Sequence, residues 1–330
     1  MGINHITRTV RALAAALIAL GVTLGVSTAP VQAMHAPKTW TVQVGSQSRD
    51  LALQGMRFLP GTITIDAGDT VNWVAGSAEI HTVTFFPGGG PQTKLPEFNP
   101  ADMTQLTQQG GSVYDSSKGF NSGLMTNVPT GDDIGPFPPT LTHVQSYHLT
   151  FPKTGTFTYY CLVHGLMMVG TIHVNAAETP YPHTQAQYDR LAQHRAAAIQ
   201  AMGVRLAVQL VRQSSNHLVY AGADNGVVSV MRFIRHTVLV RAGERVTWKN
   251  PGMGAPHTVT FGKEPPPPGL FGPSGDPRHY AGGDLNSGII PPQGTFKVRF
   301  TKPGVYHYVC ALHDFMGMTG KVVVLRNHHH

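Results

Sequence analysis

Charge is thinly spread along this chain. Only 12% of its 330 residues are Asp, Glu, Lys or Arg, and the basic ones never gather into a run. That excludes the clustered basic footprint a nucleic acid needs, so no nucleic-acid partner is expected. Cysteine is scarcer still, with two copies, which is too few for a disulfide framework. Beyond residue 33 no apolar stretch is long enough to cross a bilayer, so no integral membrane segment is expected after that point.

Glycine (37) and proline (25) are plentiful instead, which favours short strands joined by turns over long surface helices. The length suits two domains better than one core. Residues 1–33 read as a signal peptide: Arg8 and Arg11 give a positive start, Ala12–Val26 is apolar, and Val31, Gln32 and Ala33 form a small-residue cleavage site. An exported product follows, periplasmic or extracellular, with association to a membrane surface left open. Losing those residues removes two arginines and no acid, lowering the formal charge from +7 to +5. His328, His329 and His330 are a tag or a natural tail and receive no function.

The chain repeats itself. Met56–Phe58 recurs as Met231–Phe233, Thr62–Trp73 as Thr237–Trp248, His81–Phe85 as His257–Phe261, and Lys153–Cys161 as Lys302–Cys310. Within the repeats apolar and polar residues alternate and turn at Ala-Gly, the pattern of paired strands with one buried face. Residues 34–177 and 216–330 are therefore expected to be two domains. From the first His to the Cys the first half takes 80 positions and the second 53. The difference falls in Pro87–Thr140, expected to be a surface loop over its own domain. Between the halves, residues 178–215 place Tyr188, Leu191, Arg195, Ile199, Met202 and Leu206 at helical spacing, although Gly203 weakens a helix and Val204–Val211 also fits a strand.

Each half supplies one set of soft and imidazole donors in the same order: His81, Cys161, His164 and Met168, then His257, Cys310, His313 and Met318. Two imidazoles and a thiolate make a trigonal plane suited to copper, with a thioether as weak axial ligand. Each Cys sits in the same local context three residues before a His, so a disulfide between Cys161 and Cys310 is disfavoured. Met167 and Met316 are alternative axial donors. Met168 and Met318 are preferred because each precedes the start of the final strand. His143, His148, His173, His236, His279 and His307 have no matched partners across the repeat and read as solvated or hydrogen-bonded.

Both halves resemble cupredoxins, the family of plastocyanin, azurin and amicyanin. Tyr308–Val322 is similar to the plastocyanin copper loop, and Tyr159–Gly170 has a related Met-Val-Gly ending. The resemblance covers most of residues 38–175 and 216–326. It implies an all-β fold of two Greek-key β-sandwich domains with copper at one end of each, two type 1 copper ions in all; the spacing in residues 178–215 makes a helix the expected linker between them. It also implies a backbone N–H from Thr82 or Thr258 to the ligand sulfur; Asn121 and Asn286, which recur across the repeat, are expected to help hold the loops.

A carrier of single electrons between redox partner proteins is the leading expectation, with exchange through exposed edges of His164 and His313, beside Leu166, Met167 and Phe315. Tandem cupredoxins also build copper nitrite reductases and multicopper oxidases, and copper handling is a third class. Those enzymes need a His beside the ligand Cys, where this chain has Tyr160 and Leu162, or Val309 and Ala311. A His-x-His pair is missing too, outside the terminal run. Oligomerisation stays open.

Overall fold

A computed structural model of the chain describes residues 36–327 apart from 131, 133, 135, 136 and 138–140; the expected signal peptide and the final His run lie outside the described residues. The alternation seen in sequence becomes burial. In Thr39–Gln47, Trp40, Val42 and Val44 turn inward, and the second half repeats this with Val219 and Ala221 in Leu218–Asp224.

Each half closes a sandwich around its own aromatic centre, Trp73 with Phe85 and Tyr159 in the first, Trp248 with Phe261 and Tyr308 in the second. All six rings are buried to 1% exposure or less. Burial of one such side chain is worth about 2–3 kcal/mol. One six-stranded sheet in each half has the same order. In the first it runs Thr62–Asp66, Gly165–Asn175, Gly155–Cys161, Thr84–Phe85, Phe120–Ser122, Gln108–Gln109. In the second it runs Thr237–Arg241, Thr319–Leu325, Gly304–Val309, Thr260–Phe261, Leu285–Ser287, Pro273–Ser274.

The opposing sheets of the two sandwiches are one continuous sheet of eight strands. The join is an antiparallel pairing of Leu53–Leu59 with Val228–Ile234, in which Leu53 faces Val230, Gln54 faces Ser229 and Gly55 faces Val228. Met56 N–H then donates to Val227 O at 2.9 Å, and Met231 N–H to Ala52 O at 2.8 Å. Met56 and Met231 are equivalent in the repeat, so the halves meet about a local two-fold axis through Gln54 and Ser229.

A helix from Gln185 to Gln213 lies across this join. It opens with a capping box in which Thr184 and Gln187 satisfy each other's backbone N–H groups. It then buries Ala192, Ile199 and Leu210 against Leu53, Leu59, Val228 and Ile234 of both halves. The stretch Val204–Val211 is helical, and Gly203 stays within the helix. A Cβ on Gly203 would sit 2.9 Å from Leu53 Cδ2 and 3.0 Å from Val228 Cγ2. The missing side chain is what brings the helix down onto the sheet. Among the described residues no helix is long and apolar enough to cross a membrane.

Candidate metal centres

Three of the four expected donors in each half converge. The His81, Cys161 and His164 ligand atoms lie within 4.8 Å of one another, as do those of His257, Cys310 and His313. The first His lies just ahead of a short strand that pairs with the Cys-bearing strand, while Cys and the second His flank the turn into the last strand. Cys161 Sγ is 3.9 Å from His81 Nδ1 and 3.3 Å from His164 Nδ1. In the second half the corresponding distances are 3.7 and 3.4 Å. A transition metal held in a trigonal plane with bonds of roughly 2.0 Å to nitrogen and 2.3 Å to sulfur would set these atoms about 3.7 Å apart. The donors are already spaced for one ion.

The surroundings fix which atoms face that ion. Ser77 Oγ lies 2.8 Å from His81 Nε2, which leaves Nδ1 for the metal. Thr82 N–H donates to Cys161 Sγ at 3.4 Å and Thr258 N–H to Cys310 Sγ at 3.3 Å. The Thr82 hydroxyl accepts from Leu162 N–H and Thr258 from Ala311 N–H, each at 2.8 Å, tying the first His to the Cys loop. Asn121 accepts from Thr84 and donates to Thr104 O and Gln105 O. Asn286 does the same with Thr260, Leu270 O and Gly272 O, so both hold the loops flanking their site.

A family described as copper binding proteins, plastocyanin/azurin family, matches residues 219–325. Chloroplast plastocyanin of Tetradesmus obliquus is 34% identical over 126 residues, 38% of this chain and 79% of that protein. Plastocyanin B'/B'' of Nicotiana tabacum is 34% identical over 106 residues, 32% of this chain and 97% of that protein. Amicyanin-alpha of Methylorubrum extorquens is 30% identical over 129 residues, covering 39% and 94%. The chain belongs to the plastocyanin/azurin family. It is a tandem cupredoxin with two copper-binding sites, one in each half.

The protonation states of this cupredoxin suit a metal. Burial drives His81 and His257 well below the usual imidazole range, and the neighbouring His of each pair adds to it. Burial lowers His164 to about 4, helped by Arg57, and lowers His313 to about 4. All four imidazoles are therefore neutral near pH 7, free to donate a lone pair. Burial pushes both thiols up to about 11, against the hydrogen bonds that favour thiolate. Each cysteine is a free, buried thiol until a metal takes its proton.

Met168 and Met318 are fully buried in the same clusters as Cys161 and Cys310. Their alternatives face elsewhere. Met316 packs with Ala78 and Leu51 of the first half. A Cβ on Gly226 would lie 2.6 Å from Met167 Sδ, and one on Gly254 3.3 Å from Met167 Cε. By the repeat, Gly226 and Gly254 are the counterparts of Leu51 and Ala78, so each loop lays one methionine on the opposite half.

The histidine edges are not exposed as the sequence led us to expect. His164 is 8% and His313 7% exposed, because each loop is pressed against the other half. Leu166 stays open to solvent, while Phe315 is half-buried against the first half. Pro87–Thr140 also does more than cover its own sandwich: Leu106 and Ile134, with Phe98 and Phe137, pack on Ile80 and Val163 beside the first site. Of the unmatched histidines, His143 bonds Val128 O, His173 lies beside the Thr156 hydroxyl and His279 beside Asp276.

Several contributors escaped sequence reasoning. Gly45 and Gly222 have φ of +74° and +67°, and a Cβ there would lie 2.5 Å from His81 Nε2 or 2.2 Å from His257 Nε2. The Met-Arg-Phe match could not flag them, because Gly45 stands 11 residues before Met56 while Gly222 stands 9 before Met231. Arg57 donates to Gly226 O, and Arg232 to Met316 O and to Asp50 O, pinning the halves together. Glu79 is buried with Oε1 3.8 Å from His164 Nε2, and desolvation raises it to about 7. Ala255 occupies the equivalent place in the second half, so nothing in the repeat pointed to an acid there.

Proposed function

We propose that this chain is an exported blue-copper protein whose two type 1 sites carry single electrons between redox partner proteins. His81, Cys161, His164 and axial Met168 would hold one ion, and His257, Cys310, His313 and axial Met318 the other. Residues 1–33 would be the signal peptide, and residues 34–177 and 216–330 the two domains. Copper bound there supplies a one-electron couple.

The observation that carries this reading is the rigid, preformed donor geometry. Thiolate and thioether favour Cu(I), imidazole also accepts Cu(II), and a site that cannot rearrange between them loses little energy when the electron moves. Each sulfur already accepts a backbone N–H, each first imidazole rests on a glycine, and all six donors are buried. Tyr160 and Leu162 around the first cysteine, and Val309 and Ala311 around the second, offer no imidazole that could lead to a further copper.

Copper quantitation with visible spectroscopy tests it. Two coppers per chain and an intense thiolate-to-copper band are expected, with the band dropping stepwise in Cys161→Ser and Cys310→Ser and a reversible one-electron wave for each site. Nitrite reduction or oxygen consumption at enzyme-like rates would replace the carrier with a copper oxidoreductase.

A further inference from the structure

The chain segments leading to all four metal-binding histidines border one cavity of about 260 Å³. Glu79 and Ile80 run into His81, Val163 precedes His164, Pro256 precedes His257, and His313 faces the cavity itself. His164 reaches it through Glu79, whose carboxylate lies 3.8 Å from His164 Nε2. Phe98 and Phe137 of the first-half insertion line the same cavity. The two-fold pairing of the halves thus turns the outer edges of both metal sites toward each other.

We propose that the interdomain face formed by His164, Glu79, Val163, Pro256 and His313 is an internal electron bridge, through which the two donor sets exchange an electron within one molecule. This rests on the electron-carrier reading above. The balance is simple: one set gives up one electron, the other accepts it, and no atom or proton changes place.

Three features favour the bridge over docking of outside partners at these edges. Electron transfer falls off steeply with distance, and His313 and the Glu79 partner of His164 share one small cavity. The walls are largely apolar, so little solvent has to reorient when charge moves. His164 and His313 are only 8% and 7% exposed, which leaves little imidazole surface for a partner protein to meet directly. The arrangement is also anchored from both sides. Met167 reaches Gly226 and Gly254, Met316 reaches Ala78, and Arg232 locks the Met316 carbonyl at 2.7 Å.

Pulse radiolysis of the copper-loaded full chain, delivering less than one electron per molecule, tests the bridge. The spectra of Cys161→Ser and Cys310→Ser define the signal of each site. The expected trace is a bimolecular reduction followed by redistribution between sites, with a rate unchanged over a tenfold change in protein concentration. That second phase should vanish in each single-site variant and in their equimolar mixture, where the same two sites sit on different molecules. If equal potentials hide it, Met318→Leu shifts the second site and supplies the driving force. Redistribution whose rate rises in proportion to protein concentration, or that is absent even in the Met318→Leu chain, overturns the bridge. Loss of reversible waves at both sites would instead overturn the carrier reading.

Discussion

Gly203 lies so close to Leu53 that a Cβ on the glycine would stand 2.9 Å from the leucine Cδ2, with Val228 Cγ2 at 3.0 Å. Gly203→Ala would ordinarily stabilise a helix interior by about 1 kcal/mol. Here the added methyl meets a buried seam, and overpacking costs about 1–3 kcal/mol. The substitution is expected to lower the midpoint of chemical denaturation. A raised midpoint would show that the helix can ride outward freely and that the seam is not tight.

Gly45→Ala and Gly222→Ala should each disable one metal site and spare the other. The new methyl would collide with His81 or His257, and the positive φ adds strain for any side chain. Copper content should fall from two to one per chain, with about half the thiolate-to-copper band lost. Retention of both coppers in either variant would rule out the glycine as the floor of its site.

Metal uptake should release protons in a fixed ratio. The four imidazoles are neutral at pH 7 and both thiols are protonated, the thiols standing at about 11. Loading Cu(II) into the copper-free protein is therefore expected to liberate one proton per site, two per chain, in weakly buffered solution. A value near zero would mean the thiols ionise without metal.

Acid should destabilise the copper-free protein in a defined window. His164 and His313 titrate at about 4 when folded, below the ordinary imidazole value of 6.5. Between those values the unfolded chain binds more protons at these two histidines, so their contribution is full above pH 6.5 and is lost as pH falls through 4; Glu79, raised to about 7 when folded, takes up a proton in the same window and opposes part of that loss. Each histidine can account for as much as about 3 kcal/mol. Thermal unfolding followed from pH 7 to pH 4 checks this, and an unfolding temperature that stays level contradicts it.

Arg232→Ala should loosen the second copper loop while leaving the first site's spectrum intact, because it removes the partner of the Met316 carbonyl and a tie to Asp50. Leaving a buried carbonyl unpaired costs about 1–3 kcal/mol. Denaturation of the copper-loaded chain would register that loss, and a shift confined to the second site's band would locate it.

The metal triads were legible in the sequence because ligand chemistry is local: Cys161 and His164, or Cys310 and His313, are three residues apart, and the segment that opens on the first His, His81–Phe85, recurs letter for letter as His257–Phe261. The sandwich architecture followed from alternation in Thr62–Trp73 and its copy. What the sequence could not convey was how the copies are placed. That depends on an edge pairing of Leu53–Leu59 with Val228–Ile234, which carries no motif beyond ordinary strand composition. The burial of His164 and His313 follows from the pairing and was missed with it. Glu79 was missed for a different reason, since it has no counterpart in the other half.

The pairing about Gln54 and Ser229 has the geometry of an isologous dimer contained within a single polypeptide. In a true homodimer any change at the contact appears twice, so both metal environments must drift together. Fusing the copies releases that constraint. One half can acquire a buried acid at Glu79 and a long insertion while the other keeps Ala255 and a shorter loop. Symmetry in the scaffold is thus compatible with inequality at the sites, and a gradient between two otherwise matched centres becomes something that point substitutions can set.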